Sequence, residues 1–171
     1  MAATFRVYGP FKIPREGTTN RSIEPGCPDF WKKNPKAGLL AKECGCYLFA
    51  IQAAKGFRPI YVGKTTNSFE KECFAFQKIA AHYQRALDGK GTPVMFLLAL
   101  GRRKGPLNRR VIGQVESFLI QIAEAKNQDL SNVQGRKREK WEIKGVLRGG
   151  KGRVSADARK FRKAIGLSSR P

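Results

Sequence analysis

Two runs, Gly45-Cys46-Tyr47-Leu48-Phe49-Ala50-Ile51 and Ile60-Tyr61-Val62-Gly63-Lys64, decide how the chain folds. Each is short, largely apolar and of strand length. Between them Ala53 to Pro59, with Lys55-Gly56 inside, reads as a hairpin loop, which pairs the two strands antiparallel. Downstream, Phe69 to Leu87 predicts a helix. Its apolar stripe is Phe69, Cys73, Phe76, Ala80, Tyr83 and Leu87, at spacings of four, three, four, three and four. Ser68 is placed to cap its start, and Gly89 follows its end. Val94 to Leu100 reads as a third strand. Gly101 to Pro106 is a basic loop carrying Arg102, Arg103 and Lys104. Asn108 to Lys126 predicts a second helix, with Val111, Val115, Phe118, Leu119 and Ile122 on one face.

Outside this block the signals change. From Met1 to Leu40, Pro10, Pro14, Pro25, Pro28 and Pro35 interrupt any long element. Thr4 to Tyr8 has room for a short strand, and Phe30 and Trp31 are placed to fold back onto the core. After Asn132 the composition turns basic: residues 135 to 171 hold 13 Lys and Arg against 3 acids. Arg136, Lys137 and Arg138 open this tail. Ser155 to Ile165 predicts a small helix studded with Arg159, Lys160, Arg162 and Lys163. The expected architecture is α/β: a small three-stranded, mainly antiparallel sheet flanked by helices over 43–133. An irregular N-terminal extension (1–42) and a basic nucleic-acid-binding tail (134–171) complete it.

The charge balance narrows the partner. In 171 residues, 34 Lys and Arg face 13 Asp and Glu, a net of +21. Such a chain neutralises phosphates and releases their counterions, so nucleic acid is the first expectation, with DNA favoured over RNA. A membrane surface is a weaker match, because no long basic amphipathic helix with bulky apolar residues is present. No run approaches the roughly 18 apolar residues of a membrane span. Thr4 to Arg15 is mixed in character and lacks a signal-peptide core. A cytoplasmic location follows, nucleoid-associated in a bacterium. The cysteines are Cys27, Cys44, Cys46 and Cys73, and His82 is the single histidine. No paired Cys-x-x-Cys or His spacing supports a structural zinc, so small buried thiols are the simpler reading.

The order strand, hairpin, strand, helix, strand, helix, with Gly45-Cys46-Tyr47 on the first strand and Tyr61-Val62-Gly63 on the second, resembles the GIY-YIG nuclease superfamily. Cys46 and Val62 stand where the family's name has isoleucines. The resemblance covers roughly residues 43 to 133. It implies a metal-dependent endonuclease that hydrolyses phosphodiester bonds. Lys64 follows the second motif, as is common in the family. Glu116 matches the metal-binding glutamate of the second helix. Tyr47 matches the tyrosine assigned to the proton of the attacking water, and Tyr61 lines the same site. Asn132 ends a segment similar to the Asn-containing end of the family's domain, and Asn127 is the alternative.

The chemistry of these residue types suits that role. A single carboxylate binds a hard ion such as Mg2+ or Mn2+, with water and phosphate completing its shell. By helical angle Glu116 lies roughly 100° from the centre of the expected apolar stripe, at a cleft edge. A tyrosine base starts from a pKa of about 10, so a neighbouring cation such as Lys64 would favour its phenolate. The first helix departs from the family pattern, which places an arginine early. Here Lys71 stands early, with Lys78, His82 and Arg85 at offsets of 7, 11 and 14. All four fall within about 60° on an ideal helix and form one basic face. Lys71 or Lys78 is expected at the phosphate, with His82 as a proton carrier. A catalytically impaired nucleic-acid-binding module and a basic structural ribonucleoprotein component are the alternatives.

Overall fold

In the computed structural model, described for residues 3–16, 22–54, 56–101, 107–132 and 154–164, both apolar runs are strands. They are β2 (Gly45–Ala53) and β3 (Gly56–Thr65), paired antiparallel from Gly45 opposite Thr65 to Ala53 opposite Gly56. The hairpin loop is tighter than expected, because Phe57, Arg58 and Pro59 belong to β3. Both motif glycines have steric reasons. Gly45 has φ +147°, and a Cβ there would sit 2.0 Å from the Leu98 carbonyl oxygen of the neighbouring strand. At Gly63 a Cβ would lie 2.3 Å from the Tyr47 ring.

The sheet has four strands, not three. β4 (Thr92–Leu100) pairs with β2, and β1 (Phe5–Lys12) pairs with β4, giving the antiparallel order β1-β4-β2-β3. Within the N-terminal extension, expected to be irregular apart from a short strand at Thr4 to Tyr8, the strand is present and longer, running through Gly9 and Pro10 to Lys12. Pro10 interrupted the sequence pattern without excluding a strand: β1 is an edge strand, and its register shifts between Tyr8 and Phe11. The same segment adds two short helices, α1 (Pro28–Lys33) and α2 (Pro35–Gly38). Phe30 is fully buried, with its ring 4.9 Å from Phe74, and Trp31 packs edge-on against it.

Burial of Phe74 also corrects the first predicted helix. In place of one element from Phe69 to Leu87 there are α3 (Phe69–Glu72), α4 (Phe76–Lys78), a π-helical turn (Ile79–Tyr83) and α5 (Gln84–Leu87). Ala75 is extended, with ψ 139°. The break lets Phe69, Cys73 and Phe74 all enter the core, and the Phe74 carbonyl accepts from Gly26 N at 2.8 Å. The helical phase then restarts. Ile79, Tyr83, Ala86 and Leu87 face inward, while Phe76 is 67% exposed and Ala80 is exposed. Tertiary packing against Phe30 and Trp31 overrides the local period here.

The sheet separates two apolar clusters. The larger joins Tyr47, Phe49, Tyr61 and Leu97 to α1, α2, α3, the π-helical turn and α5. The smaller, on the opposite face, joins Val62 and Leu48 to Ile120, Ala123, Leu119 and Leu130. These last belong to α6 (Arg109–Lys126) and the turn after it, and α6 is capped by the Asn108 side chain accepting from Val111 N. The buried face of α6 is Ile112, Ile120 and Ala123, not the predicted Val111, Phe118 and Ile122 side. Phe118 and Ile122 are exposed. The helix is turned by roughly a third of a revolution from the expected orientation.

After α6 the chain runs along the free edge of β3. Asn127 Nδ2 donates to Pro59 O at 2.6 Å, and Ser131 N donates to Ile60 O at 2.7 Å. Asn132 then lays its amide against Val62, accepting from Val62 N at 2.8 Å and donating to Val62 O at 2.6 Å. Residues 1–136 form one compact unit, and residues 137–171 a second, whose described element is α7 (Ala156–Ala164). Among the described residues no helix is long and apolar enough to cross a membrane. Asn132→Ala leaves two buried backbone groups unsatisfied, so unfolding free energy is expected to fall by about 2–4 kcal/mol. Urea unfolding checks this, and an unchanged midpoint would contradict the structural role.

Candidate functional site

β3 alternates its side chains between the two sheet faces, which sorts the candidate residues. Tyr47, opposite Gly63, and Tyr61, opposite Phe49, point to the face covered by α3–α5. Lys64, opposite Cys46, points to the face covered by α6, where Cys46 Sγ approaches Ile112 O at 3.5 Å.

On the first face a compact cluster forms around Tyr61. Lys78 and His82 are four residues apart and share a side of the α4–π segment. Lys78 Nζ donates to the Tyr61 hydroxyl at 3.0 Å and lies 3.3 Å from the Glu72 carboxylate. The His82 ring stacks on the Tyr61 ring, with centroids 4.0 Å apart and planes at 15°. Its Nδ1 is 2.8 Å from Ser131 Oγ. Ser131 is held there because its backbone amide is bound to β3 beside Tyr61.

Electrostatics give the cluster members different protonation states. Burial opposes the charge of Lys78, but the Tyr61 hydroxyl and the Glu72 carboxylate outweigh it, and its pKa is raised. Burial lowers the pKa of His82, and the Lys78 cation pushes the same way against the hydrogen bond to Ser131. A firm cation thus stands beside an imidazole held toward its neutral form. These are side chains of the kind that can hold an anionic oxygen and pass a proton near neutral pH, with Glu72 as the present partner of Lys78.

Tyr47 is placed differently. It is fully buried, and its hydroxyl has no hydrogen-bond partner of good geometry among the described residues. Burial, reinforced by Tyr83, pushes its phenol far above the ordinary value. Its ring lies 6.1 Å from that of Tyr61, beneath the Gly63 backbone.

Glu116 faces the sheet, because α6 is turned from the expected orientation. Its carboxylate is paired with Lys64 Nζ at 2.5 Å, and its side chain is 17% exposed. Burial and the nearby Glu116 charge push the Cys46 thiol up to about 12. Lys64 therefore serves Glu116 rather than a tyrosine. Among the described residues no group of three or more His, Cys, Asp and Glu side chains is arranged to hold a metal. A divalent ion here would have Glu116 as its protein carboxylate, with water and substrate phosphate as further ligands. Asn132 and Asn127 are both at the β3 edge, where their side chains bond backbone.

The expected single basic face of the first helix is divided by the break at Cys73–Ala75. Lys71 is exposed on α3 before it, and Arg85 is exposed on α5 beyond Lys78 and His82. In the second unit, Arg159 and Lys160 are exposed on α7. Arg102, Arg103, Lys104, Arg136, Lys137 and Arg138 lie outside the described residues, as do the side chains of Arg162 and Lys163. Glu72 and Ser131 are cluster members that the sequence reading did not single out. Ser131's position just before Asn132 was the available signal; Glu72 needed the helix break.

No family model, curated protein or solved structure matches the chain. The low His82 pKa has a consequence for stability. An unfolded histidine titrates near pH 6.5 and folded His82 lower, so the neutral form's contribution is complete above about pH 6.5. It is lost as pH falls through the folded value. Urea midpoints are expected to drop on acidification below pH 6.5, and less steeply in His82→Gln. Identical pH profiles for the two proteins would contradict this.

Proposed function

We propose that the chain is a metal-assisted nuclease of GIY-YIG type that hydrolyses phosphodiester bonds, DNA ahead of RNA. The observation that carries this reading is the convergence of Lys78, His82 and Tyr61 at the edge of β3 in a chain of net charge +21. Lys78 neutralises a phosphate oxygen. Neutral His82 takes a proton from the attacking water as its oxygen bonds to phosphorus; the P–O ester bond on the far side breaks, and the leaving oxygen takes the Tyr61 hydroxyl proton, which is restored through solvent as the imidazolium gives up its own. Ser131 fixes the imidazole through Nδ1 and leaves Nε2 for the reaction. Glu116 is the residue to hold Mg2+ or Mn2+, with Lys64 released from its carboxylate. A bound ion would supply charge stabilisation at the phosphoryl oxygens where the substrate reaches round the β3 edge to both faces of the sheet. Basic residues elsewhere, Arg159 and Lys160 among them, track the flanking backbone without reading sequence.

A second reading, nucleic-acid binding without cleavage, draws on one specific feature. Glu116 is already neutralised by Lys64 and lies on the face of the sheet opposite the Tyr61 cluster.

Plasmid, single-stranded DNA and RNA incubated with Mg2+ or Mn2+ separate the two. Under the nuclease reading, His82→Ala and Glu116→Gln each lower the cleavage rate by about 100-fold or more. Affinity for the same substrates stays within a few-fold. Wild-type protein that binds all three substrates and cleaves none with either ion would replace the nuclease by the binding module.

A further inference from the structure

The solvent face of α6 carries residues of a kind that neither the fold nor the Tyr61 cluster uses. Arg110, Gln114, Ser117, Phe118 and Gln121 recur at helical spacing on the side away from the sheet. With Lys64 they line a groove of about 540 Å³. Phe118 is 61% exposed, although it is among the largest apolar side chains of the helix. The core does not need it, since Ile112, Ile120 and Ala123 already fill the inward face.

The neighbours of Phe118 in the groove define the chemistry it suits. They are hydrogen-bonding amides and a hydroxyl, with Arg110 as an exposed cation. The Glu116 carboxylate, which would repel phosphate, is neutralised by Lys64 at the groove rim. An aromatic face bordered by amides and the Arg110 cation matches a nucleobase stacked on the ring, its edge met by Gln114 or Gln121 and its phosphate by Arg110. A duplex hides its base faces inside the stack, so only an unpaired base offers the π surface. An apolar protein helix would leave these polar neighbours without partners.

We propose that the α6 groove is a stacking site for unpaired nucleobases, centred on Phe118 and separate from the Tyr61 cluster across the sheet. This rests on the nucleic-acid reading above and names the strand form that the chain prefers. The ligand class is single-stranded or locally opened nucleic acid.

Fluorescence anisotropy in EDTA, which prevents metal-dependent cleavage, tests this with labelled thymidine oligonucleotides of roughly 15 nucleotides and a duplex of equal length. Wild-type protein, Phe118→Ala and Phe118→Tyr are compared, with thermal melting and sedimentation on each. Phe118→Ala is expected to lose about tenfold affinity for the single strand while keeping duplex affinity within twofold. Phe118→Tyr is expected to retain single-strand binding, since the ring remains. Equal single-strand affinity for wild type and Phe118→Ala overturns the stacking site but leaves the nucleic-acid reading standing. Absence of binding to either substrate by wild type overturns both. A wild-type dimer that becomes monomeric in Phe118→Ala, with single-strand affinity unchanged, assigns the face to self-association and also overturns the stacking site.

Discussion

The amide of Asn132 pressed against the backbone of Val62 is the contact on which the arrangement depends. β3 is the outermost strand of its side of the sheet, and an open edge of this kind invites pairing with another chain. Asn127, Ser131 and Asn132 occupy that edge at Pro59, Ile60 and Val62. One short segment thereby satisfies backbone groups, anchors the end of α6, and carries Ser131 to His82. The stacking of His82 on Tyr61 is held from the opposite side by the helical segment that contributes Lys78. Edge closure and assembly of the cluster are thus one structural event.

The second constraint is the division made by the sheet. Each candidate residue on β2 or β3 is committed to a face by strand alternation, and the helices follow. Tyr61 meets Lys78 and His82, while Lys64 meets Glu116. Each group holds one lysine–glutamate pair: Lys78 lies 3.3 Å from Glu72, and Lys64 2.5 Å from Glu116. The Tyr61 cluster adds an imidazole and a phenol hydroxyl to its pair, whereas the Lys64–Glu116 pair has its carboxylate turned toward the sheet. Any role for Glu116 toward a cation requires Lys64 to exchange the carboxylate for another anion.

Much of this was legible in the residues, and the failures have physical causes. The paired apolar runs gave β2 and β3 because unbroken strand-length segments bounded by turn residues have few alternatives. The pairing of Lys78 with His82 was visible as a four-residue spacing, and it survived the helix break because both lie after Ala75. Lys71 was grouped with them on an ideal helix that the chain does not form. The break depends on Phe74 meeting Phe30 and Trp31, a contact between segments more than 40 residues apart that no local period reports. The orientation of α6 was misread because Val111, Val115, Phe118 and Ile122 make a better stripe than the residues that are buried. The alternative face with Ile112, Ile120 and Ala123 also places Glu116 against Lys64. The strand expected at Thr4 to Tyr8 continues to Lys12, an extension obscured by Gly9 and Pro10, which an edge position tolerates.

His82 is the single histidine of the chain, so its imidazole is a direct reporter on the cluster. The most direct measurement is its pKa by NMR, alone and with saturating DNA in the absence of divalent ions. The account predicts titration below pH 6.5 in the free protein and an upward shift with DNA, since a phosphate drawn to Lys78 stabilises the imidazolium. A value that does not move when the protein is saturated with DNA would contradict engagement of the nucleic-acid backbone at the Tyr61, Lys78 and His82 cluster.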